Sequence, residues 1–171
     1  CYTDEASGLG VTPYLGTYPR YIYGKLKKEG HTVTYLTIDD VRLWKRYNNR
    51  RKEPLLKEKT NIFIYNLTNN NAEKILQKTD CLIVIIGVHV PGKYLTALPG
   101  TLHEIIPLIR DISVRKILTG PAIFGTQLEG GKLYEKEKLD VFDEIKDYQG
   151  TFEEIEEYTS LGAEILNQIP D

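Results

Sequence analysis

Methionine is absent from these 171 residues, cysteine occurs twice, tryptophan once and histidine three times. With only Cys1 and Cys81, far apart, neither a disulfide framework nor a thiolate metal cluster can be built. A [4Fe–4S] centre, which takes several closely spaced cysteines, is excluded from this chain. His31, His89 and His103 follow no metal-ligand spacing. Long apolar runs are missing too: the richest, Leu82 to Ile86 with Gly87 and Val88 behind it, is far short of the ~20 residues a membrane helix needs. Charge of one sign is also lacking, since 22 Lys plus Arg face 24 Asp plus Glu and leave a formal charge of −2. That balance excludes a polybasic nucleic-acid coat and an acidic tail. No secretory leader pattern is found, which predicts a soluble chain in a reducing, cytoplasmic setting. The lack of methionine predicts that a segment precedes Cys1.

What is present suits one domain. The chain is 41% apolar, and a domain of this size hides roughly 68–70% of its unfolded surface. The first twenty residues are rich in Gly and Pro and read as a long loop. Tyr18, Tyr21, Ile22, Lys25 and Leu26 then follow helical spacing, with Pro19 suited to a first turn and Gly30 to a left-handed close. His31 to Ile38, rich in Thr, Val and Tyr, is expected as a strand. Asp39 and Asp40 at its end read as helix-capping or loop residues. The basic stretch Val41 to Lys59, around Trp44, reads as a solvated helix. A short strand over Asn61 to Asn66, a turn to Asn71 and a brief helix over Ala72 to Lys78 follow.

Cys81 to Val88 is apolar on both faces, the pattern of an interior strand in a parallel sheet covered by helices. After the loop His89 to Gly100, Thr101 and Glu104 form a capping box, and Leu102, Ile105, Ile106 and Ile109 make an apolar stripe interrupted by Pro107. Val114 to Thr119 and Leu139 to Ile145 are expected as strands. Thr151 and Glu154 form a second capping box, opening a long final helix, stopped by Pro170, one face of which carries Phe152, Ile155, Tyr158, Gly162, Ile165 and Ile169. Strands alternating with helices predict a doubly wound α/β sandwich with a mostly parallel sheet. Ligands of such sheets bind beyond the carboxyl ends of the strands. The loops at 2–16, 87–100 and 120–131 all belong to that rim.

The motifs in those loops are partial. Gly87-Val88-His89-Val90-Pro91-Gly92-Lys93-Tyr94 has the spacing of a phosphate-binding P-loop. Tyr94, however, stands where a small hydroxyl should meet Mg²⁺, and Pro91 removes a backbone donor. Gly8-Leu9-Gly10 begins a dinucleotide fingerprint, but Pro13 replaces its third glycine. His89, just past a buried strand, is placed either to bind a ligand as neutral imidazole or to make a structural hydrogen bond.

Tyr2-Thr3-Asp4-Glu5, Gly8-Leu9-Gly10-Val11-Thr12-Pro13-Tyr14-Leu15-Gly16 and Tyr18-Pro19-Arg20-Tyr21, with Glu29-Gly30-His31, resemble the amino-terminal cobalamin-binding-type domain of radical S-adenosylmethionine proteins, particularly archaeal ones. Gly87 to Leu95, Leu98-Pro99-Gly100-Thr101 and Leu118 to Ala122 extend the likeness over most of the chain. The resemblance implies a flavodoxin-like or Rossmann-like three-layer sandwich, with a five-stranded sheet of order 2-1-3-4-5 whose first strand falls before Cys1. It implies one domain over 1–171, with the catalytic domain, its [4Fe–4S] cluster and S-adenosylmethionine following residue 171. A corrinoid would lie on the carboxyl rim. The residues implied to hold it are Thr3, Asp4, Glu5, Gly8, Gly10, Thr12 and Tyr14 in the first loop, Gly87, His89, Gly92 and Lys93 in the second, and Thr119, Gly120, Pro121 and Gly125 in the third. His89 and Thr119 are expected to hydrogen-bond the nucleotide tail or amide arms. Family members that ligate cobalt through histidine carry Asp-x-His-x-x-Gly; aligned on Asp4, this chain has Ala6 and Leu9 there, so binding without a protein ligand to cobalt is expected. The alternatives are a corrinoid-free scaffold for a partner and a phosphate-binding enzyme using the 87–93 loop. Neither a nucleic acid nor a membrane is an expected partner.

Overall fold

The computed structural model describes residues 17–48, 71–86, 102–120, 123, 139–148 and 150–164. Helix α1 spans Thr17–Lys28, with Pro19 in its first turn and Lys25, Lys27 and Lys28 in its last, where cations complement the carbonyl end. It closes as the sequence predicts. Gly30 has φ +87°, the Gly30 N–H donates to the Lys27 carbonyl and the His31 N–H to the Leu26 carbonyl, a Schellman close.

The strand expected over His31 to Ile38 is not formed among the described residues. Residues 31–37 join no ladder, and Ile38 already belongs to helix α2, Ile38–Tyr47. Side chains there still alternate as in a strand: Val33 and Tyr35 pack on Tyr23 of α1, while Leu36 turns to the opposite core. Extended propensity was read correctly, but a strand exists only where a neighbour supplies its hydrogen bonds. The end of the segment is set by a capping box. The Thr37 N–H donates to Asp40 Oδ2 at 2.7 Å and the Asp40 N–H to Thr37 Oγ1 at 3.3 Å. Asn48 ends α2 in the left-handed region at φ +49°. Helix α3, Ala72–Leu76, is capped by Asn71. The expected strand over 61–66 lies outside the described residues.

Strand β1 is Cys81–Ile85, helix α4 Leu102–Ile109, strand β2 Arg115–Thr119 and strand β3 Glu144–Ile145. They form one parallel sheet, in the order β1-β2-β3, with Cys81 opposite Arg115 and Ile85 opposite Thr119. The last strand is shorter than expected. Leu139 and Phe142 fold into a turn closed by the Phe142 N–H on the Leu139 carbonyl, leaving Glu144 and Ile145 to pair with Ile117 and Leu118. Two layers of helix cover the sheet. Leu82, Val84, Ile86 and Leu118 join Ile38, Val41, Leu76 and the buried stripe of α4 on one face. Ile83 and Ile85 meet Tyr21, Ile22 and Tyr148 on the other. The α4 stripe is the predicted one, Leu102, Ile105, Ile106 and Ile109 all being buried, and the helix carries Pro107 within it.

Helix α5, Phe152–Leu161, starts at the predicted capping box of Thr151 and Glu154. The expected apolar face is divided: Tyr158 and Gly162 meet α1, Phe152 and Ile155 stay exposed, and Ile165 and Ile169 lie outside the described residues. No residue of α5 is buried, and Phe152 is 77% exposed. The reason is a close backbone crossing with α1: a Cβ on Gly24 would collide with the Tyr158 carbonyl, and one on Gly162 with the Arg20 carbonyl. Tyr158 sits 5.6 Å from Tyr21, and Lys28 Nζ reaches Glu157 at 2.6 Å. A seam that narrow is lined by Gly24, Tyr158 and Gly162 and leaves Phe152 outside it.

Adding a methyl group at Gly24 must force the helices apart. The Gly24→Ala variant is expected to lose about 1–3 kcal/mol, the usual cost of overpacking, read as a lower urea midpoint at unchanged slope. A midpoint equal to that of the parent chain would show that the helices do not touch there.

Candidate functional site

Because β1 and β2 are parallel, their carboxyl ends fall side by side. Thr119 lies in register with Ile85, and the Ile86 N–H donates to the Thr119 carbonyl at 3.0 Å. The chain then turns at Gly120, with φ +121°, a region L-residues avoid. A Cβ there would also run into the Ile86 backbone. Glycine is therefore demanded twice, and main chain rather than side chain forms this corner of the rim. Thr119 is fully buried. Of the residues implied to hold a cofactor, Thr119 and Gly120 are brought together here. Thr3, Asp4, Glu5, Gly8, Gly10, Thr12, Tyr14, Gly87, His89, Gly92, Lys93, Pro121 and Gly125 lie outside the described residues.

In the helical layer over the main core, α2 and α4 are joined by charge. Arg42, on the α2 face that carries Ile38 and Val41, is 3% exposed and grips Glu104 with both arms of its guanidinium, Nε to Oε1 at 2.8 Å and Nη2 to Oε2 at 2.6 Å. Arg46, one turn on, adds a contact of 2.8 Å to Oε1. Burial pushes the Glu104 carboxyl up, but the hydrogen bonds and charges of Arg42 and Arg46 outweigh it and hold the group below its ordinary 4.5. The solvated helix expected for 41–59 is thus corrected at Arg42. The signal was the spacing: Ile38, Val41 and Arg42 share one face, so the arginine had to enter the core with its apolar neighbours. Nearby, burial and then the charge of Asp40 push the Tyr35 phenol up, keeping it a donor.

A cleft of about 330 Å³ lies at the opposite, amino end of the strands, between Trp44, Lys45, Leu76, Asp111, Ile112 and Val114. Lys45 Nζ is held there at 2.7 Å from both Asp111 oxygens and 4.2 Å from the centre of the Trp44 ring. Trp44 is therefore occupied by its own neighbour. Among the described residues, no group of three or more His, Cys, Asp or Glu could hold a metal ion, and no helix is long and apolar enough to cross a membrane. Cys81 opens β1 half-buried, and that burial pushes its thiol up.

Comparison with known proteins gives relatives of similar sequence. An uncharacterised protein of Methanocaldococcus jannaschii is 33% identical over 195 aligned positions, which take in 99% of this chain and 31% of the relative. An uncharacterised protein of Archaeoglobus fulgidus is 31% identical over 176, covering 99% of this chain and 28% of the relative. The chain thus spans about a third of the length of these curated relatives. No family model matches, and no solved structure matches.

Removing the Glu104 charge takes from the buried Arg42 the carboxylate that both arms of its guanidinium hold. Glu104→Gln is expected to cost roughly 3 kcal/mol at neutral pH, the low end for breaking a buried pair, since Glu104 keeps a solvent edge. A carboxyl held below its unfolded value contributes stability that is full above 4.5 and lost as pH falls through the depressed value. Parallel urea titrations should therefore show the gap between parent and variant narrowing below about pH 4.5. A gap independent of pH would refute the assignment.

Proposed function

We propose that this chain is a cobalamin-binding-like module, holding a corrinoid without a histidine ligand to cobalt, for a radical S-adenosylmethionine catalytic domain carried by a longer polypeptide. The observation that carries the proposal is the Gly120 corner. At the carboxyl ends of two adjacent parallel strands, where ligands of such sheets bind, Gly120 packs its backbone on Ile86 and puts no side chain on the rim, which suits a flat tetrapyrrole lying close to it. The opening Thr3-Asp4-Glu5 and Gly8-x-Gly10 segment supports the reading by its likeness to that family. The length of the curated relatives is compatible with a second domain of catalytic size. The proposal includes a sheet of five strands in the order 2-1-3-4-5. Residues 31–37 would be its outer strand, and a further strand would lie between them and β1. This is supported by the way Val33 and Tyr35 face one helical layer and Leu36 the other.

In that arrangement the corrinoid supplies the methyl transfer or rearrangement chemistry, and this chain binds and orients it. The expected result of titrating the chain with hydroxocobalamin is a saturable change in the visible spectrum at about one equivalent. No spectral change and no corrinoid co-purified from a cobalamin-fed host would remove the reading. The scaffold that positions a partner would then be the one to pursue.

A further inference from the structure

We propose that the outer face of α5 is a docking surface for a neighbouring domain that presents an apolar centre ringed by lysine or arginine. The capping box at Thr151 fixes the start of the helix, so the directions of the residues after it are set. Phe152, Ile155 and Glu156, spaced three and four apart, share one face, with Glu153 beside it. Phe152 is 77% and Ile155 37% exposed. These are the apolar positions that the helical pattern marks for burial, and packing on α1 leaves them bare because that contact runs through Tyr158 and Gly162.

Charge names the occupant. Among the glutamates of this region, Glu154 is used in the cap, Glu157 holds Lys28 and Glu164 holds Lys27. Glu153 and Glu156 are exposed and make no ion pair among the described residues. Two apolar anchors edged by two exposed carboxylates complement a surface of opposite charge with an apolar middle. A second copy of the chain would bring the same acidic face and be repelled. In a polypeptide as long as these relatives, about three times this chain, the remaining chain would supply such a partner at high effective concentration. The inference rests on the proposed function only for the identity of that domain as the catalytic one.

The probe is a synthetic amphipathic helix of leucine and lysine, titrated into the isotope-labelled chain while backbone amide shifts are followed. The expected result is perturbation confined to about Phe152–Ser160, weaker at high salt, with no response to a leucine–glutamate peptide. Substituting Phe152→Ala and Ile155→Ala together keeps every charge and disturbs no buried group. The double variant should melt with the parent and bind about tenfold more weakly, as the loss of one good anchor implies. Undiminished binding by the variant, shifts centred on Asp111 or another acidic patch, equal response to the acidic peptide, or no response at all would each overturn the proposal. The corrinoid titration reads a different rim, so failure of one leaves the other standing.

Discussion

The parallel ladder between β1 and β2 is the constraint on which the other features depend. Five paired positions, from Cys81 with Arg115 to Ile85 with Thr119, fix direction and register together. Both strands are apolar on alternate faces, so each face must be covered, and a parallel neighbour can be reached only by a crossover such as α4. Direction also decides where chemistry can sit. Had the strands been antiparallel, Ile86 and Gly120 would lie at opposite ends of the sheet; being parallel, they meet, and the Gly120 corner exists. A register slip by one residue would turn Ile83 and Val84 to the wrong layers and dissolve both cores. The same ladder buries one charged side chain near its start, next to the exposed Arg115. Lys116 is 7% exposed because the Ile112 and Val114 carbonyls accept its ammonium.

Much of this was legible from the residues because local rules and global packing agree. The breaker at Gly30, the box at Thr151, the stripe on α4 and the two-faced strand at Cys81 each follow from a short-range cause, and each is where it was expected. The losses came where the deciding partner is distant in sequence. Residues 31–37 have strand chemistry and strand-like alternation, but no composition can reveal whether a neighbour is there to pair. Reading them as a strand to Ile38 also hid the Thr37–Asp40 box, although Asp40 was rightly taken for a capping residue. Of the candidate site, Thr119 and Gly120 were legible as a strand end followed by a breaker. That glycine is required there because of Ile86, a residue more than thirty positions away, was not. Arg42 was misjudged for the same reason, its partner Glu104 lying on another helix.

Near-neutral net charge conceals this specific pairing. Arg110 with Asp140, Arg115 with Glu144 and Lys28 with Glu157 are exposed pairs, of the kind that contribute little to stability. Arg42 with Glu104 differs because the guanidinium is buried and because it ties α2 to α4. Loss of that tie would loosen the helical layer over the main core, whereas loss of a surface pair would be absorbed by solvent.

Helices α4 and α5, one on each side of the sheet, are consequently held by different physics. On one face, α4 buries four large aliphatic side chains, and its detachment would expose the main core. On the other, α5 buries none and touches α1 through backbone, one tyrosine and exposed ion pairs. Arg20 Nε and Thr159 Oγ1, one from each helix, are buried with no hydrogen-bond partner among the described residues, which weakens that layer further. Elements with few buried apolar contacts open at low free-energy cost, and surfaces that meet partners are drawn from that end of the stability range. A helix that is well capped, seated on α1 through close backbone contact rather than through large aliphatic side chains, and apolar on its outer face still has apolar surface for a second contact to bury. That asymmetry is why the α5 face, and not the firmly packed α4 face, is the one left for another domain to complete.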